Sequence, residues 1–137
     1  MKQVNKFVQI TTIRKLTDIT NKINDFVKFS NISNGIINLS IVHTSASLIV
    51  QENADSDVLK DIEIFFDKLV PQDNSYNHSS EGFDDMPAHI KASLTQNQLT
   101  FSIIDGNMIL GVWQGIFLFE HRTETKRRRI FCHIIGD

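Results

Sequence analysis

The chain has 137 residues, enough for a single core, and we expect residues 1–137 to form one domain. Hydrophobic residues make up 41% and charged residues 22%, which is typical of a soluble globular protein. The net charge of −2 provides no general attraction to nucleic acid or to an anionic membrane, and the single cysteine, Cys132, excludes an internal disulfide and a multi-cysteine zinc site.

The first thirty-five residues predict a strand, a helix and a turn. Val4–Ile13 is rich in Phe, Val, Ile and Thr, which favour a strand. Apolar residues then recur with the spacing of one helix face: Ile19, Ile23, Phe26 and Val27. Thr17 or Asp18 is placed to cap this helix, which we expect to end near Ser30. The segment Asn31–Gly35 is typical of a turn.

The next part predicts two strands and a second helix. Ile36–Ile41 and Ser47–Gln51 have strand composition, and the small polar segment between them indicates a strand end, a bulge or a tight connection. His43 in that segment either faces a cleft or is a core histidine bonded to the backbone. Acidic residues at Glu52–Asp57 favour a helix start. Five apolar residues follow with helical spacing, before Pro71 ends the helix: Val58, Ile62, Phe65, Phe66 and Leu69.

The segment Tyr76–Ser93 is rich in side chains that can bind metal ions, transfer protons or hold anions. It combines two histidines, three carboxylates and a lysine with turn-forming residues, and it has little hydrophobic periodicity. Its end, Ala88–Leu94, is predicted to form a short helix that carries His89 and Lys91. Polar loops held by a rigid scaffold are common places for catalysis and binding, although a solvated surface loop has a similar composition.

The last third of the chain predicts several short strands. Their predicted ranges and turns are, in order, Leu99–Ile104, a turn at Asp105-Gly106-Asn107, Met108–Leu110, Trp113–His121, a turn at Arg122–Lys126, and Arg128–Ile135. Short turns between successive strands imply antiparallel pairing. The basic run Lys126–Arg129 is more typical of a solvated hairpin turn than of a phosphate site. The fold class is therefore α/β of the α+β type, with two main helices on a largely antiparallel sheet.

No stretch of the sequence indicates a membrane protein or a secreted one. The first fifteen residues lack the continuous apolar segment of a signal peptide, and no later stretch approaches the length of a membrane span. We therefore expect a cytoplasmic protein that binds neither nucleic acid nor membrane.

Imidazole and carboxylate groups together suggest a divalent metal site. Neutral imidazole and carboxylate are the usual ligands of zinc in the absence of cysteine, and three histidines are candidates: His43, His78 and His89. No compact ligand motif is present, so the ligands have to converge through folding. Asp84 or Asp85 is placed to orient a ligand histidine, and Glu81 is a candidate general base for a bound water.

The sequence also offers groups for a phosphorylated ligand, although it has no Gly-rich phosphate loop. Lys91 and the arginines Arg127–Arg129 are candidate phosphate contacts, with serine hydroxyls such as that of Ser45 assisting. Gln114 is difficult to place in a core strand and is a candidate ligand contact, whereas Trp113 is more typical of the core.

Several stretches, taken together and in this order, resemble the YjbQ-like proteins, also called the secondary thiamine-phosphate synthase family. They cover nearly the whole chain: His43-Thr44-Ser45-Ala46-Ser47, Glu52-Asn53-Ala54-Asp55, His78 with Glu81-Gly82, Asp84-Asp85-Met86-Pro87-Ala88-His89-Ile90-Lys91, and Gly111-Val112-Trp113-Gln114-Gly115-Ile116. The resemblance implies a YjbQ-like fold, a homotrimer with sites near subunit contacts, and possible thiamine-phosphate synthase activity. That reaction joins a pyrimidine diphosphate to a thiazole phosphate and releases pyrophosphate.

The resemblance also assigns candidate roles to individual residues. The family's histidine positions fall on His43, His78 and His89, which would hold a divalent metal ion, either zinc or magnesium. Its acid after the Trp-Gln-Gly motif falls on Glu120, and its arginine-rich turn falls on Arg127–Arg129. The candidate catalytic residues are thus Glu81, Asp85, Gln114 and Glu120, and the candidate contacts for a small phosphorylated ligand are Ser45, Lys91 and Arg128.

Two other functions are compatible with the same residues. A metal-dependent hydrolase would use Glu81 or Asp85 to activate water on the bound ion. A non-catalytic trimeric binding protein would use the pocket to hold a small anionic ligand. Condensation with release of pyrophosphate favours magnesium held by carboxylates, whereas a three-histidine site favours zinc and hydrolysis.

Overall fold

The computed structural model describes residues 1–73 and 75–137, and within them eight strands and three helices. The elements are, in chain order, β1 (Lys2–Thr12), β2 (Leu16–Asp18), α1 (Thr20–Ser30), β3 (Gly35–Ile41), β4 (Ala46–Glu52), α2 (Ser56–Leu69), α3 (Asp85–Leu94), β5 (Gln98–Ile104), β6 (Asn107–Met108), β7 (Gln114–Glu120) and β8 (Lys126–Gly136). No helix among these residues is both long and apolar enough to cross a membrane.

The strands form two sheets in which every pairing is antiparallel. The larger sheet has the order β1-β8-β3-β5-β6, and the smaller one has the order β2-β7-β4. The longest pairing joins β1 and β8, with eleven partnered residues from Lys2↔Gly136 to Thr12↔Lys126. The predicted α+β fold with antiparallel strands is confirmed, and the strands that we predicted as one sheet are divided between two.

The predicted pairing of the last two strands is wrong. β7 pairs with β2 and β4, whereas β8 pairs with β1 and β3, so the segment between them crosses from one sheet to the other. The short polar connection is therefore not a hairpin turn, and the basic run Lys126–Arg129 belongs to a strand. Alternation along β8 buries Arg128 with Ile130, while Arg127 and Arg129 are exposed on the opposite face.

The main hydrophobic core lies between the two sheets and α1. It contains residues from both sheets and from one face of the helix, among them Ile37, Leu39, Leu48, Leu118, Ile130, Ile134, Ile23, Phe26 and Val27. The opposite face of β7 packs through Phe117 and Phe119 against α2, where Leu59, Ile62 and Phe66 are partly buried. The smaller sheet is thus covered on both faces, which explains why nearly every residue of β7 is buried.

The observed ends of α1 agree with the predicted cap at Asp18 and the predicted end near Ser30. α1 begins one residue after Ile19, and the Asp18 carboxylate accepts hydrogen bonds from the Thr20 main-chain N–H (2.9 Å) and hydroxyl (2.6 Å). Asn31 ends the helix in the left-handed conformation, with φ of 54°. The prediction did not include β2, because two of its three residues, Thr17 and Asp18, were interpreted as candidate helix caps.

The two larger helices contribute differently to stability, and a matched pair of substitutions tests this. Ile23 of α1 is fully buried, whereas no residue of α2 is fully buried and Ile62 is only partly covered. We expect Ile23→Ala to lower the free energy of unfolding by about 3–4 kcal/mol and Ile62→Ala by about 1–2 kcal/mol. Urea denaturation of both variants measures the difference, and equal losses would contradict the described packing.

Candidate metal centre

The start of α3 places two chemical groups on one helix face. α3 begins at Asp85, three residues before the predicted start, and includes Pro87 in its first turn, where a missing N–H costs no helical hydrogen bond. Asp85 and His89 are separated by four residues, so their side chains lie on the same face of the helix. His78 reaches them from the loop that precedes the helix.

Three ligand-type atoms converge at this point. Asp85 Oδ2 lies 2.6 Å from His78 Nε2 and 3.2 Å from His89 Nε2. One ligand-type atom from each of His78, Asp85 and His89 lies within 4.8 Å of the other two. Within residues 1–73 and 75–137, no other group of three or more histidine, cysteine or acidic side chains meets this distance. The carboxylate is 3% exposed, whereas His78 and His89 are 39% and 34% exposed. The centre is therefore anchored in the protein on the carboxylate side and open to solvent on the imidazole side.

The main chain determines which nitrogen of His89 faces the carboxylate. His89 Nδ1 lies 2.9 Å from the Thr44 carbonyl oxygen, which can only accept a hydrogen bond, so Nδ1 carries the proton and donates it. In the neutral ring, Nε2 then presents a lone pair to Asp85 Oδ2, which also has only lone pairs. A proton or a metal ion between these two atoms is needed to make the contact attractive.

Arg122 holds Asp85 from the side opposite the histidines. Its Nη1 donates to Asp85 Oδ1 (2.6 Å), its Nε to Asp84 Oδ2 (3.1 Å) and its Nη2 to the Glu81 carbonyl oxygen (3.1 Å). Burial by itself raises the pKa of Asp85, but the hydrogen bond with His78 and the charge of Arg122 outweigh it and lower the pKa. Asp85 is therefore ionised, and its second oxygen is directed at the two histidines.

The Asp84 carboxylate accepts hydrogen bonds from Arg122 and Thr123 and does not contact a histidine. Asp84 Oδ2 also accepts hydrogen bonds from the Thr123 main-chain N–H (2.8 Å) and hydroxyl (3.1 Å). Burial alone would raise the pKa of Asp84, but the hydrogen bonds from Thr123 and Arg122 lower it overall. Of the two acids predicted to orient a ligand histidine, Asp85 is the one in contact, and it contacts both His78 and His89.

The structure does not bring His43 into this group. His43 Nε2 accepts a hydrogen bond from the Arg129 main-chain N–H (2.9 Å), and Nδ1 lies 3.4 Å from Arg128 Nη1. Burial and then the Arg128 charge lower the pKa of His43. Of the three histidines predicted as metal ligands, the structure therefore brings His78 and His89 together beside Asp85 and places His43 elsewhere, because both ring nitrogens of His43 face N–H groups of Arg128 and Arg129.

Three further candidates are joined to one another in a buried cluster. Arg128 Nε donates to Glu120 Oε1 (2.8 Å), and Nη2 donates to Glu120 Oε2 and to Ser45 Oγ (2.9 Å). Thr12 Oγ1 adds a hydrogen bond to Glu120 Oε1 (2.6 Å). Glu120 and Arg128 are both buried, so the predicted acid and the predicted phosphate contact neutralise each other instead of facing a ligand.

The other predicted site residues lie apart from the centre or at its edge. Lys91 is buried and donates to Asp67 (2.7 Å). Gln114 accepts a hydrogen bond from the Gly111 main-chain N–H (2.7 Å) and thereby orders the loop that includes Trp113. The expectation that Trp113 belongs to the core is wrong, because its side chain is exposed in this loop. Glu81 is exposed and adjoins the centre through its main-chain bond to Arg122.

Sequence reasoning missed two residues that the fold uses. Arg122 was assigned only to a turn, although the guanidinium group of an arginine can donate hydrogen bonds to two adjacent carboxylates. The contact could not be recognised in the sequence because Arg122 and Asp85 are 37 residues apart. His121 was assigned only to the end of a strand, yet it is buried and its Nε2 lies 2.8 Å from Ser47 Oγ. Burial and then the Lys91 charge lower the pKa of His121 to about 3, so this ring is neutral near pH 7.

Comparisons with known proteins agree on one family. A family model described as UPF0047 protein YjbQ-like matches residues 6–137. A UPF0047 protein of Synechocystis is 46% identical over 125 residues, covering 90% of this chain and 85% of that one. The YjbQ protein of Escherichia coli O157:H7 is 40% identical over 115 residues, covering 84% and 83%.

Solved structures share the fold. A YbjQ-like protein of unknown function from Sulfolobus solfataricus has a TM-score of 0.89 at 26% identity, covering 99% of each chain. An uncharacterised protein of the YjbQ/UPF0047 family from Clostridium acetobutylicum has a TM-score of 0.87 at 34% identity, covering 95% of this chain and 99% of that one.

The low pKa of His121 predicts a specific acid sensitivity. The unfolded chain takes up this proton near pH 6.5 and the folded chain only near pH 3, so the unfolded state binds more protons between these values. Stability is therefore lost as the pH falls through 6.5, with an upper limit of about 2 kcal/mol for this residue between pH 7 and 5.

Urea denaturation of the wild type and of His121→Gln at pH 7 and pH 5 tests this expectation. The wild type should lose more stability than the variant over this interval, because only the wild type carries the buried imidazole. The comparison removes the contributions of the other histidines, which both proteins share. Equal losses in the two proteins would show that the imidazole is accessible to protons in the folded state.

Proposed function

The chain belongs to the YjbQ-like UPF0047 family, and on this premise we propose that it is a metal-dependent enzyme that acts on a small phosphorylated substrate. The observation that carries the proposal is the convergence of His78, Asp85 and His89 around one point. Two of these residues are among the histidines that the sequence marked as metal ligands, and the third is one of its candidate catalytic acids.

The donor atoms suit a divalent metal ion of the zinc type. Two imidazole nitrogens and one carboxylate oxygen form a ligand set that leaves a coordination position for water or substrate. The hydrogen bond from His89 Nδ1 to the Thr44 carbonyl is the kind of contact that orients a ligand histidine in metalloproteins. When bound, such an ion would polarise a phosphoryl oxygen or lower the pKa of a water molecule.

The surrounding residues supply positioning and a base. Arg122 prevents Asp85 from rotating, so one carboxylate oxygen stays directed at the histidines. The half-exposed imidazoles leave room for a small substrate to approach from solvent. Glu81 is the nearby acid with an exposed side chain, because Asp84 and Asp85 are held by Arg122 and Thr123, and we assign it the role of general base.

Two reactions fit this site. The resemblance to the YjbQ-like proteins favours thiamine-phosphate synthesis, in which a pyrimidine diphosphate and a thiazole phosphate condense and pyrophosphate leaves. Hydrolysis of a phosphate ester is favoured by the ligand set, because Asp84 and Asp85 are occupied by Arg122 and are poorly placed to bind Mg²⁺ on a diphosphate. Hydrolysis is therefore the reaction that the geometry supports best.

We also propose that the chain acts as a homotrimer, as the resemblance implies. Several large apolar side chains are exposed on the single chain, including Ile109, Val112 and Trp113 in the loop before β7. Exposed apolar groups of this kind are typical of protein contacts. Sedimentation equilibrium measures the assembly, and a monomer at micromolar concentration would contradict the proposal.

Metal content tests the centre directly. We expect protein purified without a metal-affinity tag to carry about one zinc-like ion per chain, and expect His78→Ala, Asp85→Asn and His89→Ala to lose it. His43→Ala should keep the ion because His43 faces arginine donors, and His133→Ala is a matched control on the far face of β8. Elemental analysis gives the ratio, and loss of metal in the His43 variant, or no metal in the wild type, would refute the centre.

Activity assays separate the candidate reactions. Hydrolysis of an aryl phosphate by the wild type, lost on chelation and lowered at least tenfold in Glu81→Gln, would support the hydrolase. Pyrophosphate release only when the pyrimidine diphosphate and the thiazole phosphate are both present would instead support condensation. Thermal stabilisation by phosphorylated ligands without turnover of any substrate would identify a binding protein and refute catalysis.

A further inference from the structure

We propose that a second site, distinct from the metal centre, binds the phosphate group of a ligand. It is a cavity of about 240 Å³ between the end of β1, the connection from β1 to β2, and the loop Arg122–Thr125 after β7. None of the residues that the sequence suggested for phosphate binding, Ser45, Lys91 or Arg128, lines it. The residues that do line it are Thr12, Ile13, Arg14, Lys15, Glu120, Arg122, Thr123, Glu124 and Thr125.

Two cations are available to a ligand in this cavity. The guanidinium group of Arg122 is directed at Asp84 and Asp85, which leaves Arg14 and Lys15. In the described part of the chain, Arg14 forms no ion pair with an acidic residue within 4.0 Å, so its guanidinium group is available to bind an anion. Lys15 donates to Asp67 (2.7 Å) and retains two further N–H donors.

Each of the two acids in the lining has a cationic partner. Glu120 is paired with Arg128 and accepts further hydrogen bonds from Thr12 and the Arg122 main-chain N–H. Glu124 lies 3.3 Å from the ammonium group of Lys126. An anion entering the cavity therefore meets one unpaired guanidinium, one partly used ammonium and threonine hydroxyls, a combination that suits phosphate oxygens.

The loop Arg122–Thr125 connects this cavity to the metal centre. On one side it forms a wall of the cavity, and on the other side Arg122 and Thr123 hold Asp84 and Asp85. A phosphate in the cavity would thus contact the same loop that orients the metal-ligating carboxylate. That this phosphate belongs to the substrate rests on the proposed function, whereas the binding of phosphate to the cavity does not.

Titration of the metal-free full-length protein with inorganic phosphate tests the site. After treatment with a chelator, we expect saturable binding by calorimetry at low ionic strength, weakened about tenfold in Arg14→Ala. Arg14 is exposed, so this variant is expected to fold. Lys22→Ala removes the same charge from an exposed residue of α1 that does not line the cavity, and this variant should bind phosphate like the wild type.

A parallel titration with pyrophosphate shows whether the cavity prefers a monophosphate or a diphosphate group. Absence of saturable binding of either anion, or equal binding in Arg14→Ala and the wild type, would overturn the proposal. Because the protein is free of metal in this experiment, failure of the cavity leaves the metal centre intact as a hypothesis. Loss of the metal centre in the analysis of metal content would, conversely, leave phosphate binding unaffected.

Discussion

The buried pair of Glu120 and Arg128 joins the two sheets of this protein. Glu120 ends β7 of the smaller sheet, Arg128 lies in β8 of the larger one, and Thr12 of β1 completes the contact. Two charges in a nearly dry environment are tolerated only when they satisfy each other, and removal of either partner leaves a buried charge, which costs about 3–5 kcal/mol. The pair lies on either side of the loop after β7, where the chain crosses between the sheets.

That loop connects the Glu120–Arg128 ion pair to the candidate metal centre through Arg122. The Arg122 main-chain N–H donates to Glu120, while its side chain reaches across to Asp84 and Asp85. Asp85 thus has a cation on one side and two imidazoles on the other, an arrangement that keeps it ionised and directed at the histidines. Because Asp85 and His89 stand on a helix and Arg122 is held by the sheet, two of the three proposed ligands are positioned by rigid elements.

The loop Arg122–Thr125 lies between the two sites that we propose. On one side it orients the Asp85 carboxylate beside the two histidines, and on the other side it lines the cavity that contains Arg14 and Lys15. A phosphorylated small molecule is the ligand class that we propose for both features. The two imidazoles are partly exposed beside a buried carboxylate, so the proposed substrate would reach them from solvent without a large rearrangement.

Local patterns in the sequence determined the helices, most of the strands and the segment that carries the site. The period of the apolar residues reports which face of each element is buried, and turn-forming residues mark the polar loop that holds His78 and Asp85. The four-residue spacing of Asp85 and His89 was also visible, since one helix face contains both. Tertiary structure decided the rest: the division into two sheets, the position of His43 beside Arg128 and Arg129 instead of beside His78 and His89, and the role of Arg122. The physical reason is that these features depend on contacts between residues 37 or more positions apart, which no local pattern in the sequence reports.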